Sequence, residues 1–271
     1  KEIIGSGATS GIGSDMKGID KWMLSRLQQR ILETNEALGT IRTRHALQNS
    51  FFLLLNDLKW YQKRGGSVLL YDILETWVRL MAPFTPHVCE EIWEAMGKEG
   101  MVSLAGYPAY DETLVDTSAE FTEELISGTI SDVDEIIRVT KITPQKAVLY
   151  TAPEWKTTAF KKALAMQKEG DLKPGVLIKE LMSDPEMRRY GKEVPKFAQK
   201  LVGDITSMSE ESFNTLTSFE LDEKVALEEN TDFFEKEIGC PVDVYSADDA
   251  EYDPENKAKF AYPLRPAIYL E

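Results

Sequence analysis

Apolar positions in the first hundred residues recur at intervals of three and four, the mark of helices that bury one face. Met23, Leu27, Ile31 and Leu38 predict a helix with Asp20 as its N-cap and Gly39 as its stop. Leu47, Phe51, Leu54, Leu55, Leu58 and Tyr61 predict a second helix over 43–63, ended by Gly65-Gly66. Leu70, Ile73, Leu74, Trp77, Val78 and Met81 predict a third over 67–82, halted by Pro83. Thr85 is placed to cap a fourth, with Pro86 at the first helical position, where its missing N–H costs nothing. Val88, Ile92, Trp93 and Met96 form that helix's inner face. Four amphipathic helices joined by short loops predict an antiparallel bundle.

The pattern then changes. A helical period over 120–139 is followed by a strand-like run at 147–151 and a helix opened by Pro153 that carries Lys156, Lys161 and Lys162. Further helices are predicted at 176–182, 195–207 and 231–238, and two more strand-like runs at 241–245 and 267–270. The expected fold class is therefore mostly α with a smaller α+β part: a helical bundle followed by a small mixed α/β domain. The expected divisions are a flexible N-terminal segment at 1–18, the bundle at 19–110 and the α/β domain at 111–271.

Charge sharpens the division near residue 110. The first 110 residues hold 12 basic and 12 acidic side chains, whereas the rest hold 19 and 34, so the whole formal charge of −15 sits in the second part. Such a chain repels nucleic acid on average, and any RNA contact must use local basic patches. The longest strictly apolar run, 51–55, is five residues and far too short to span a bilayer. No secretory signal is legible at the N-terminus. Two cysteines lie 151 positions apart, which fits reduced thiols in the cytoplasm better than a disulfide framework.

Little of the chain offers catalytic chemistry. His45 and His87 are the only histidines, and neither adjoins a nucleophile elbow; His87 reads as a locally bonded or packed residue. Cys89 and Cys240 lack the partners of a zinc site, and the acidic stretch 248–253 lacks the spacing and central glycine of a calcium loop, so it reads as a solvated loop. The Gly-rich segment 5–13 has neither the preceding strand nor the following lysine of a phosphate loop and reads as a flexible connection. No catalytic or metal-binding residue is assigned. The remaining signal is basic and aromatic: Arg42 and Arg44 at the start of the second helix, Lys59, Trp60, Lys63 and Arg64 at its end, then Lys156, and Arg188, Arg189, Lys192, Lys196 and Lys200 with one acid, Glu193, among them. Patches of this kind bind phosphates; each taken alone is also ordinary surface charge.

One stretch tips that balance. Leu80-Met81-Ala82-Pro83-Phe84-Thr85-Pro86-His87-Val88-Cys89-Glu90-Glu91-Ile92-Trp93 resembles the L-A-P-F-x-P-H-x-x-E-E-x-W signature of the anticodon-binding helical domain of class I aminoacyl-tRNA synthetases, in the group for leucine, isoleucine, valine and methionine. Within that group, Lys21-Trp22-Met23-Leu24-Ser25-Arg26-Leu27, Arg42-Thr43-Arg44-His45-Ala46-Leu47, Leu55-Asn56-Asp57-Leu58-Lys59-Trp60-Tyr61 and Glu99-Gly100-Met101-Val102-Ser103-Leu104 resemble bundle segments of the leucyl type found in archaea and the eukaryotic cytosol. Ala152-Pro153-Glu154-Trp155-Lys156 and Pro263-Leu264-Arg265-Pro266-Ala267-Ile268-Tyr269-Leu270-Glu271 resemble its C-terminal extension. The H-x-G-H and K-M-S-K-S motifs of adenylate formation and the editing domain are not in this chain. The resemblance thus implies the C-terminal portion of a leucyl-tRNA synthetase: a tRNA-handling part whose partners are leucine tRNA and the catalytic and editing domains. No membrane or DNA is implied, and ATP and magnesium belong to the full-length enzyme. The bundle would brace the tRNA stem and corner, and the C-terminal domain its long variable arm. A sister synthetase for isoleucine, valine or methionine, a non-catalytic protein scaffold and a nucleotide-binding enzyme stay open as alternatives.

Overall fold

The computed structural model describes residues 10–13, 15–208, 210–218 and 222–271. Residues 1–9 and 14, with half of the Gly-rich segment, lie outside the described residues. The chain divides into two compact units, one ending at Glu123 and the other beginning at Glu124.

In the first unit, α1 (Gly18–Gly39) is followed by α2 (Thr43–Leu47), a π-helical stretch (Gln48–Leu53) and α3 (Leu54–Lys63), which continue one another as a single long helix. Then come α4 (Leu70–Met81) and α5 (Pro86–Ala95). One core cluster joins Trp22, Met23, Leu27 and Ile31 to Leu54, Tyr61, Leu69, Ile73 and Leu80. A second gathers Val78, Met81, Cys89, Trp93 and Val102. The four-helix bundle is thus built on the faces that the apolar spacing marked, except that Val88, expected on the inner face of α5, is exposed in the helix's first turn. The wide π turns inside the second helix are not visible in that spacing.

The helix ends differ from expectation in instructive ways. Asp20 is not the N-cap of α1; Lys17 is, and Asp20 sits in the first turn, accepting the Lys17 N–H at 2.9 Å. Its other oxygen accepts the Tyr61 hydroxyl at 2.5 Å, and that hydroxyl accepts the Leu69 N–H at 3.2 Å. Burial, then the bond to Asp20, raises the Tyr61 pKa. Gly39 does not turn the chain either: the left-handed residue is Ile41, at φ 58°. Gly66 is needed because a Cβ there would lie 2.1 Å from the Tyr61 ring, while Gly65 takes a φ of 83°. Thr85 does hold the N-cap position of α5, but its hydroxyl bonds back to the Met81 carbonyl rather than capping the helix.

Two parts of the sequence signature are held together by Glu90. Its carboxylate accepts the Val102 N–H at 2.8 Å and the Ser103 hydroxyl at 3.2 Å. Chiefly the Val102 N–H holds that carboxyl below its ordinary range.

Helix α6 (Thr117–Thr140) contains the division between the units. In the second unit, β1 (Ala147–Thr151) precedes α7 (Glu154–Glu169), α8 (Pro174–Leu181), α9 (Glu193–Thr206), α10 (Glu210–Ser218), α11 (Glu223–Glu228), α12 (Thr231–Ile238), β2 (Val242–Ser246) and β3 (Ala267–Leu270). The sheet has the order β2-β1-β3, with β2 parallel and β3 antiparallel to the central strand. All five residues of β1 are buried, as a central strand covered on both faces must be. Val148 and Tyr150 pack on Ala258 and Ala261, while α7, α8 and α9 share a core around Trp155, Leu164, Leu177, Phe197 and Leu201. Helices α10 and α11 have no counterpart in the expected pattern; both are short, nine and six residues. The acidic loop is not merely solvated: Asp248 accepts the Glu154 N–H at 2.6 Å, capping α7, and Asp253 accepts the N–H groups of Lys257 and Ala258.

The polar contact that fixes the bundle's far end is the pair Arg64–Glu123. The guanidinium donates twice to the carboxylate, at 2.9 Å each, and the Trp60 indole N–H donates to the same carboxylate at 2.9 Å. Removing one partner of a buried pair strands the other charge. Glu123→Ala is therefore expected to destabilise the first unit by about 3–5 kcal/mol, read from urea unfolding.

Candidate nucleic-acid interface

Arg42 and Arg44 flank the start of α2 and are exposed; Arg42 Nε donates to the Thr40 hydroxyl at 2.9 Å. Lys59 and Lys63 are exposed near the other end of the same long helix. At 1.5 Å per residue the two cationic ends stand roughly 25–30 Å apart along the axis. They are one helix's two ends, not one patch.

The five-residue cluster seen in sequence splits in two. Lys59 and Lys63, four apart, share the outer face, and the Lys63 ammonium lies 5.7 Å from the Trp60 ring centroid. Trp60 and Arg64, also four apart, turn to the neighbouring face and spend their donors on Glu123. Arg64, with a side chain 8% exposed, is thus a structural residue in this geometry.

In the second unit Lys156 is buried, and its ammonium donates to the carbonyls of Lys259 and Ala261 at 2.7 Å each. Burial lowers its pKa. Lys156 therefore pins the segment beneath β1 and offers no ammonium to solvent. Arg188 donates to the carbonyls of Met182 and Ser183, just past α8, at 2.8 and 3.3 Å. Arg189 is exposed at the rim of a groove that also includes Trp155, Lys161 and Tyr190. Lys192, Lys196 and Lys200 are exposed and four residues apart, so they line one side of α9; Lys200 stands 4.5 Å over the Tyr262 ring. The structure brings these three together and separates them from Lys156 in role.

The deepest titratable group in this groove is Glu223, which nothing in the sequence pattern singled out. It accepts the Leu264 N–H at 3.3 Å, and its other oxygen is buried with no partner among the described residues. Burial pushes its carboxyl up to about 7. His45 and His87 are both exposed, so His87 is not a packed residue. Among the described residues no group of three or more His, Cys, Asp or Glu side chains could hold a metal ion, and no helix is long and apolar enough to cross a membrane.

Residues 20–150 match the family described as the anticodon-binding domain of tRNA ligase. Along its whole length the chain is 72% identical to a leucine–tRNA ligase of Methanococcoides burtonii and 57% identical to one of Methanosarcina mazei. Over 95% of its length it is 39% identical to a leucine–tRNA ligase of Pyrococcus abyssi. It spans 28%, 28% and 26% of the lengths of these relatives.

Glu223 generates a pH dependence of definite sign. Its folded pKa is raised, so between about pH 4.5 and 7 the folded protein keeps a proton that the unfolded chain releases. Stability from this group is full at the acid end and falls as pH rises through that window, by about 3 kcal/mol at most. Glu223→Gln lacks the titrating proton. Urea unfolding of both proteins at pH 5 and pH 8 is expected to show the variant gaining on the parent at the higher pH.

Proposed function

Because the chain belongs to the leucine–tRNA ligase family, we propose that it grips leucine tRNA and orients it for ATP-dependent leucylation carried out elsewhere in the full-length enzyme. Its place of work is then the cytoplasm, with the catalytic and editing domains as covalent neighbours. The bundle braces the tRNA stem and corner through Arg42 and Arg44 at one end of its long helix and Lys59 and Lys63 at the other. The α/β unit meets the long variable arm with Arg189, Lys192, Lys196 and Lys200. Arg64 and Lys156 support these surfaces from within, and the exposed Arg188 by its bonds to the Met182 and Ser183 carbonyls.

The observation that carries this reading is the match to a tRNA-ligase anticodon-binding domain on a bundle whose exposed long helix is almost free of acid. Between residues 42 and 64 the one carboxylate is Asp57, which is buried against Arg30 at 2.7 Å. Contacts of this type go to phosphates; they position the RNA without reading its sequence. They also make binding salt-dependent, since each neutralised phosphate releases counterions.

The acidic second unit supports a rival reading, a protein-binding scaffold. Filter binding separates the two, because a scaffold has no saturable affinity for tRNA at physiological salt. For the tRNA reading, Arg42→Glu with Arg44→Glu is expected to weaken binding of leucine tRNA and to lower the slope of log affinity against log salt by roughly 2. Lys156→Met is expected to leave that slope unchanged while lowering stability by about 1–3 kcal/mol, because two buried carbonyls lose their donor. Equal slopes for parent and double Arg variant would refute the bundle contact.

A further inference from the structure

The long helix carries an exposed stripe that the phosphate contacts leave unexplained. His45, Gln48, Phe52, Asn56, Lys59 and Lys63 are all exposed and recur every three or four positions. Their chemistry is ordered along the axis: Arg44 and His45 at the near end, an amide, an aromatic ring and a second amide in the middle, two ammonium groups at the far end. No carboxylate of this helix interrupts them, since Asp57 faces Arg30 in the interior.

Phe52 is the anomaly. It belongs to the most apolar run of the chain, yet it is 56% exposed, where burial would have stabilised the fold. It lies within the π-helical stretch, a feature that often marks functional positions. Phe51 meets its ring edge-on, with centroids 5.1 Å apart, and Phe51 in turn packs against Trp77 at 5.9 Å. The exposed ring is therefore braced from the core side rather than free to fold down.

A braced aromatic between amides and cations, on a helix whose one carboxylate is buried, matches the chemistry of a nucleotide better than that of a protein partner. Aromatic faces stack on any base, cations take the phosphates, and side-chain amides reach the base edge. Resting on the tRNA reading above, we infer that Phe52 is a stacking platform for one unpaired base of a folded RNA. Gln48 and Asn56 flank that base, and Lys59 and Lys63 take the neighbouring phosphates.

The test uses the 271-residue chain and leucine tRNA, titrated from 50 to 200 mM salt. Phe52→Ala is expected to weaken binding roughly 5- to 100-fold with the salt slope unchanged, because a stacked base and not a phosphate contact is lost. Phe52→Trp is expected to restore affinity, and Phe52→Leu, similar in apolar bulk but without a π-face, is not. Lys59→Gln with Lys63→Gln is expected to lower the slope. Thermal unfolding of each variant, expected to stay near the parent at this exposed site, separates lost contact from lost fold. A parent that binds tRNA while Phe52→Ala binds equally well would overturn the stacking assignment alone. So would a Phe52→Leu variant that binds like the parent. A parent without saturable binding would overturn the tRNA reading as well.

Discussion

A carboxylate taken out of water has to be met by donors in nearly fixed geometry, and three such groups govern how the first unit is assembled. Asp20 ties the start of α1 to Tyr61 and, through its hydroxyl, to the turn before α4. Asp57 holds α3 to the Arg30 guanidinium of α1. Glu123 gathers Trp60 and Arg64 at the end of α3. Apolar burial drives these helices together without choosing among small axial slips, because Leu and Ile contacts are interchangeable. Directional pairs at three heights remove that freedom. The outward cations inherit their placement from it: Lys59 and Lys63 are where they are because Trp60 and Arg64 are held inside.

That division of labour shows what was legible in the sequence and what was not. The bundle was readable because its helices are long and their apolar period is strong, as in Leu70 to Met81. The three strands were readable because β1 is apolar throughout and β2 and β3 keep β-branched or aromatic residues. Charge alone did not show that Lys156 and Arg64 are turned inward. A lysine or arginine in a one-dimensional string gives no sign of whether carbonyls or a distant carboxylate wait for it in the fold. Trp60 was readable as half core, since its neighbour Tyr61 falls on the apolar face. Glu223 and Phe52 were hidden for opposite reasons: an acid in an acidic region suggests solvent, and a phenylalanine in an apolar run suggests burial.

The distribution of charge suits the proposed hold on an RNA. A strongly anionic second unit would keep long-range attraction low, so that under the proposed reading affinity arises where cations are concentrated on short faces. Within the second unit Asp248 and Asp253 accept backbone N–H groups at a helix start and in a turn. Acid is thus used structurally, at helix ends and turns, where backbone N–H groups need an acceptor.

The π-helical stretch has a consequence for how such a helix tolerates change in length. Wide turns place about one residue more along the axis than α pitch does, so the segment behaves as an inserted residue absorbed without a break. Deleting a single position between Gln48 and Leu53 would return the helix to regular pitch and leave everything after it on the same faces. Tyr61 would still face Asp20, and the two outer lysines would keep their side of the helix. The bearing of one end of the helix relative to the other therefore tolerates the gain or loss of one residue within the wide turns.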